Sequence, residues 1–151
     1  MKRRVERKHH MIEGIRGRSG QNLVEFAMIV VLLLAIVLGI ADFGRLWMTN
    51  QAVTNAAREG ARLAALPNGF SDPAAVTTSV TNYLTSANLT PANATVTLSG
   101  VSDGTGLPAT VTVSYEVSGG LFLGPVLALL PGGSGMPGTF TLTQTATMRN
   151  E

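Results

Sequence analysis

The spacing of apolar positions changes character along this chain, and each change marks an element. From Phe26 to Ala41 no residue is charged, and counted from Gln21 the apolar stretch is 21 residues long, against the roughly 20 that carry a helix across a bilayer. That predicts a transmembrane helix over 21–41. Helical spacing then continues. Phe43, Asn50, Ala57 and Ala64 recur every seventh residue with Leu46, Val53 and Gly60 beside them, the pattern of a face packed on another element. No proline interrupts 42–66, and Pro67, Asn68 and Gly69 form a stop signal. One long helix from Asn22 to Leu66 is expected, its first half in lipid and its second half, 42–66, outside it.

Beyond the stop, Asp72 is placed to cap a second, shorter helix with Pro73 in its first turn and Val76, Val80, Tyr83, Leu84 and Ala87 on one stripe. After Pro91 the period falls to two. Ala94, Val96 and Leu98, then Val111, Val113, Tyr115 and Val117, then Phe140, Leu142, Ala146 and Met148 each alternate mostly with hydroxyl residues. Three antiparallel strands are predicted, with an apolar face for the helices and a threonine-rich face toward solvent. Between the last two strands lies an apolar decapeptide, Leu121–Leu130, too short to span a bilayer as a helix. It reads either as a loop or short helix covering the sheet, or as an exposed contact for a partner or the membrane surface. The fold class is therefore a membrane-anchored α+β protein: leader 1–20, span 21–41, helical continuation 42–66, and a small α+β domain over 67–151.

Charge refines the picture. Residues 1–20 hold seven of the eleven basic residues and two of the nine acidic ones, a surplus of five positive charges, while the remainder is net negative. The overall basicity thus belongs to the leader, beside the span, which fits anionic lipid better than nucleic acid. The positive-inside tendency puts the N-terminus in the cytoplasm and residues after Ala41 on the opposite side. All histidines and lysines precede residue 20 and there is no cysteine. From Gln21 onward the chain lacks the usual general base, amine and thiol nucleophiles and soft metal ligands. No enzyme activity, cofactor, metal or small-molecule substrate is expected, and a domain without cysteine is held by packing alone.

Glu25 is the acidic residue that a plain anchor does not explain. Ionisable groups within a span are costly and usually paired, so a cation is expected beside it. Ala35 and Gly39 are four apart, a small-xxx-small patch that admits a neighbouring helix. On the helical continuation Asp42 with Arg45, and Glu59 with Arg62, are spaced for weak surface pairing. Arg58, Glu59 and Arg62 form either a solvated face or a partner-docking face.

A basic leader, Gly20, a polar start, Glu25 at the fifth position after that glycine, then Phe26 and an apolar helix resemble the class III signal of type IV pilins and pseudopilins. The stretch "GQNLVEFAMIVVLLLAIVLGIADFGRLWMTNQAVTNAAREGARLAA" is similar to the TadE-like family of the tight-adherence (Tad) pilus assembly system. The closing strand "TATMRNE" after an apolar Leu/Pro/Gly segment is also like that family. The resemblance implies leader cleavage by a prepilin peptidase between Gly20 and Gln21. It also implies a pairing role for Glu25 with a neighbour's N-terminus, other Tad pilins or pseudopilins as partners, and a site in the bacterial cytoplasmic (inner) membrane, with pilus association. Gln21 departs from the phenylalanine of ordinary type IV pilins, and an N-terminal glutamine can cyclise and lose its charge.

Two other readings compete. A secretory signal peptide ending at Ala41 has small residues at the right places, but a carboxylate would open its apolar region and the helical pattern runs through the cut. An unprocessed membrane-tethered extracytoplasmic binding module explains the span and leaves Glu25 without a role. The expected function is a minor pseudopilin that acts in pilus assembly through lateral helix packing.

Overall fold

The structure, a computed structural model, describes residues 3–66, 72–101, 106–128, 132 and 138–149, with backbone alone for 3–19. The Pro67–Gly69 stop, most of the 102–106 loop and Leu129–Leu130 lie outside the described residues. The chain divides into two compact units, Met1–Ile40 and Ala41–Glu151.

Helix α1 runs Arg3–Ala64. It begins well before the expected start at Asn22. Residues 3–19 contain no proline and eight of them are arginine, lysine or glutamate, residue types that lose little freedom in a helix, so the leader's glycines do not break it. At the other end Ala65 and Leu66 donate to the carbonyls of Ala61 (3.1 Å) and Leu63 (3.3 Å), tightening the last turn. Helix α2, Pro73–Ser86, starts as expected: the Asp72 side chain accepts the Ala74 N–H at 2.9 Å and proline occupies the first turn. It ends where Asn88 turns into the left-handed region at φ 58°, and Leu89 N–H returns to Leu84 O at 2.9 Å. A single 3-10 turn, Pro91–Asn93, leads into the sheet.

Strands β1 (Ala94–Ser99), β2 (Pro108–Ser118) and β3 (Thr139–Arg149) form one antiparallel sheet in the order β1-β2-β3. The register pairs Thr97 with Thr112 and Thr112 with Thr145, so hydroxyls align across the outer face. Thr110–Thr147 and Thr112–Thr145 bond at 3.0 Å and Ser114–Thr143 at 3.1 Å. The inner face of central β2 (Ala109, Val111, Val113, Tyr115, Val117) is buried under Val53, Ala57 and Ala61 of α1 and Val76, Val80 and Leu84 of α2. Tyr115 is held by its hydroxyl, which accepts the Thr90 N–H at 3.1 Å. Edge strand β3 is covered less: Leu142 and Ala146 are half-buried, and Phe140 and Met148 are exposed.

Small residues bring α1 down onto this layer. A Cβ placed on Gly60 would lie 2.6 Å from Val80 Cγ2 and 3.2 Å from Val111 Cγ1, so both α2 and β2 pack where a side chain would stand. The seven-residue spacing holds for Val53, Ala57, Gly60 and Ala64, which are buried, and fails for Phe43, which is exposed and stacked on Trp47 with ring centroids 6.4 Å apart. The face drifts about 20° per heptad on a straight helix, and the fully buried core of α1 begins at Val53.

The apolar segment after β2 forms a short helix, α3, Leu123–Ala128. None of its residues joins the described core under the sheet. Leu121 and Phe122 are exposed, and the segment is bound instead to the start of the second unit through Asp42.

Candidate membrane-anchoring and assembly site

Residues 20–64 of α1 are long and apolar enough to cross a membrane, by length and composition. The large apolar side chains between Leu23 and Ile40, Leu38 aside, stand exposed. A helix whose apolar residues face outward all round calls for an apolar surrounding rather than water.

Gly20 and Gln21 are exposed, and nothing lies within 4 Å of a Cβ built on Gly20. Glu25 lies four residues on, also exposed. Among the described residues it makes no ion pair, since the pair found there joins Glu59 to Arg62. Ala35 and Gly39 are half-buried, four residues apart along the same helix.

On the helical continuation, Arg62 donates to Glu59 through Nη2 at 2.6 Å and Nε at 3.0 Å. The Arg62 hydrogen bond holds the Glu59 carboxyl below its ordinary range against the opposing cost of burial, with a lesser Coulombic contribution from the same guanidinium. The same bond raises Arg62. Arg58 is exposed beside them. The pair is an open, solvated i,i+3 contact of the kind that contributes little, so the geometry brings Glu59 and Arg62 together without building a pocket.

Asp42 and Arg45 do not form the surface pair that their spacing suggested. Asp42 is buried, with 6% of its surface accessible, and its two carboxylate oxygens accept the N–H of Phe122 at 3.2 Å each and that of Leu123 at 2.9 Å. Arg45 donates through Nη2 to the carbonyl oxygen of Ser118, and its buried Nε has no partner. The two side chains of one helical turn thus clamp the two ends of the Ser118–Leu123 segment. Free backbone donors ahead of α3 and a free carbonyl at the end of β2 satisfy each charge more fully than an exposed partner three residues away. The sequence did carry a hint: Asp42 stands directly after the uncharged run, and the apolar decapeptide lacks charge of its own. No group of three or more His, Cys, Asp or Glu side chains gathers among the described residues.

The apolar helix, the exposed glycine at its start and the carboxylate four residues beyond Gln21 lie on one continuous stretch. Residues 20–62 match the TadE-like protein family. The TadE-like stretch starts at Gly20 itself and takes in Glu25, Ala35, Gly39, the Asp42–Arg45 clamp and the Glu59–Arg62 pair. This part of the chain, with its N-terminal apolar helix, is thus similar to the TadE-like family. No curated protein and no solved structure matches the chain. The α2 and sheet region lies outside the TadE-like match and is known from its own geometry.

Proposed function

We propose that the chain is a minor pseudopilin of a Tad pilus system, inserted in the bacterial cytoplasmic membrane with residues 1–20 inside and residues 42–151 outside. A prepilin peptidase removes the leader between Gly20 and Gln21. The freed α-amino group of Gln21 on one copy, or on another pilin, then meets Glu25 on its neighbour, while Ala35 and Gly39 let the helices approach closely. The α+β domain rides on the helix and performs no chemistry. The observation that carries this reading is Glu25: a carboxylate exposed on an apolar, TadE-like helix, four residues from Gln21.

The cleavage state tests it. Intact-mass measurement and N-terminal sequencing of membrane-extracted protein, from cells that hold the peptidase, should find a chain beginning at Gln21 or at its cyclised form. A chain retaining residues 1–20 in those cells would point instead to a tethered extracytoplasmic binding module.

A further inference from the structure

The segment after β2 is apolar and uncharged over 121–130 and is held by hydrogen bonds to Asp42, next to the end of the apolar run of α1. Residues 121–130 contain no charged side chain. Leu121 and Phe122 are 52% and 46% exposed, although they flank a segment held by three carboxylate hydrogen bonds to Asp42. Asp42 is the first charged residue after the run that ends at Ala41. If that run spans the bilayer, covalent adjacency alone fixes the height of Asp42 at the hydrocarbon boundary, and the hydrogen bonds fix Phe122 at the same height. Phe43 and Trp47 lie about 3 and 9 Å past Ala41 at 1.5 Å per residue, a range that overlaps the interfacial layer of about 5–8 Å on each side of a bilayer. Both are exposed and they stack on each other. Aromatic side chains at this depth are the usual anchors of spanning helices.

We propose that Leu121 and Phe122 form an interfacial foot that enters the lipid surface beside the point where α1 leaves the bilayer, with Phe43 and Trp47 completing the apolar ring around that point. The inference rests on the membrane-spanning reading of residues 21–41. The foot gives the domain a second point of contact with the membrane besides α1. The partner is lipid rather than a protein groove because the patch is uncharged and is bonded to Asp42, the first charged residue after the apolar run. The Asp42 tether gives it a mechanical reason: the carboxylate satisfies the backbone donors that would otherwise carry an unpaired cost in a water-poor layer.

The chain has no cysteine, so a single introduced thiol can report its surroundings. Phe122→Cys, with Leu121→Cys as a second position, carries an environment-sensitive fluorophore in the full chain reconstituted into phosphatidylethanolamine and phosphatidylglycerol vesicles. Val31→Cys reports the span and Thr145→Cys the exposed hydroxyl face. Nitroxide-labelled lipids serve as quenchers. The expected result is blue-shifted emission at 122 and 121, with greater loss of fluorescence from a nitroxide near the glycerol end than from one near the acyl terminus. The label at 31 should be quenched by the deep nitroxide and the label at 145 by neither. Labels at 121 and 122 that behave like 145, while 31 is quenched, would overturn the foot and leave the span standing. A blue shift at 122 without lipid quenching would also overturn it, in favour of a protein contact. An unquenched label at 31 would remove the span, and the foot with it.

Discussion

The carboxylate of Asp42 accepts the backbone N–H groups of Phe122 and Leu123, 80 and 81 residues further along the chain. One side chain at the start of the second unit thereby holds the segment between β2 and α3. Truncation of Asp42 leaves two backbone donors without the charge that satisfied them, and hydrogen bonds to ionised groups contribute about 1.5–3 kcal/mol each when lost from a buried site. Asp42→Ala is expected to destabilise the domain by about 2 kcal/mol and to raise amide hydrogen exchange at Phe122 and Leu123 selectively. Exchange measured on the detergent-solubilised full chain checks this, and unchanged protection at those two amides would remove the tether from the account.

Gly60 is the point of closest approach between α1 and the layer beneath it. Alanine there gains about 1 kcal/mol of helix propensity, but its Cβ would stand 2.6 Å from Val80 Cγ2, and overpacking of this kind costs about 1–3 kcal/mol. Gly60→Ala should therefore lower the denaturation midpoint, and the loss should shrink in a Val80→Ala background. A double-mutant cycle reads the coupling directly, with additive effects counting against a steric cause.

What could be read from the sequence was whatever is local. Asp72 caps α2 because an N-cap and its N–H lie within one turn, and the strands declared themselves because one face of each repeats every second residue. The same logic paired Asp42 with Arg45 and failed. Their real partners are backbone groups of Ser118, Phe122 and Leu123, and the backbone is nearly the same at every residue, so the pattern of side chains gives only a faint hint of it as a partner. Phe43 was grouped with Ala57 and Ala64 by a count of sevens, yet the core is too short to reach it. Glu25, Ala35 and Gly39 stand out in the sequence because most residues around them are large and apolar, and Gly20 because it closes the basic leader; the roles given to them are part of the proposal.

The Glu59–Arg62 pair predicts a small pH dependence with a definite sign. The folded-state pKa of Glu59 is depressed from its ordinary 4.5, so its stabilising effect is complete above that value and is lost as pH falls through the lower folded value. Both side chains are open to solvent, which screens the pair. Glu59→Gln should be slightly less stable than the wild type near neutral pH, and the difference should vanish as pH falls and Glu59 is protonated, which leaves the variant a slightly flatter acid limb. Thermal unfolding of wild type and variant between pH 3 and 7, about the range over which free carboxyls titrate, is the measurement. A deficit in the variant that grows as pH falls would contradict the sign.

The hydroxyl rows on the outer sheet face satisfy one another, as Thr112 and Thr145 do at 3.0 Å. Cross-strand pairs of this kind contribute about 0.2–1 kcal/mol. Thr112→Val and Thr145→Val singly should each change stability little, because water replaces the lost partner at an exposed site, and their coupling in a double-mutant cycle should stay within that range. A larger coupling would mean that the face is more than a solvated ladder.

Glu25 tests the assembly reading at a single atom group. Removal of its charge lowers the cost of placing α1 in lipid, by up to about 2.5–3.5 kcal/mol if the residue sat at the helix centre, so Glu25→Ala should insert at least as well as the wild type. What it should lose is its neighbour. Site-specific crosslinks placed near Gln21 on one copy and near Glu25 on another should form in the wild type after leader removal, weaken in Glu25→Gln, which keeps shape and a hydrogen-bond acceptor, and vanish in Glu25→Ala. Membrane fractionation run alongside separates a failure to insert from a failure to pair. Full crosslinking in Glu25→Ala, with the variant in the membrane, would mean that apolar packing around Ala35 and Gly39 suffices and that the carboxylate serves some purpose other than docking.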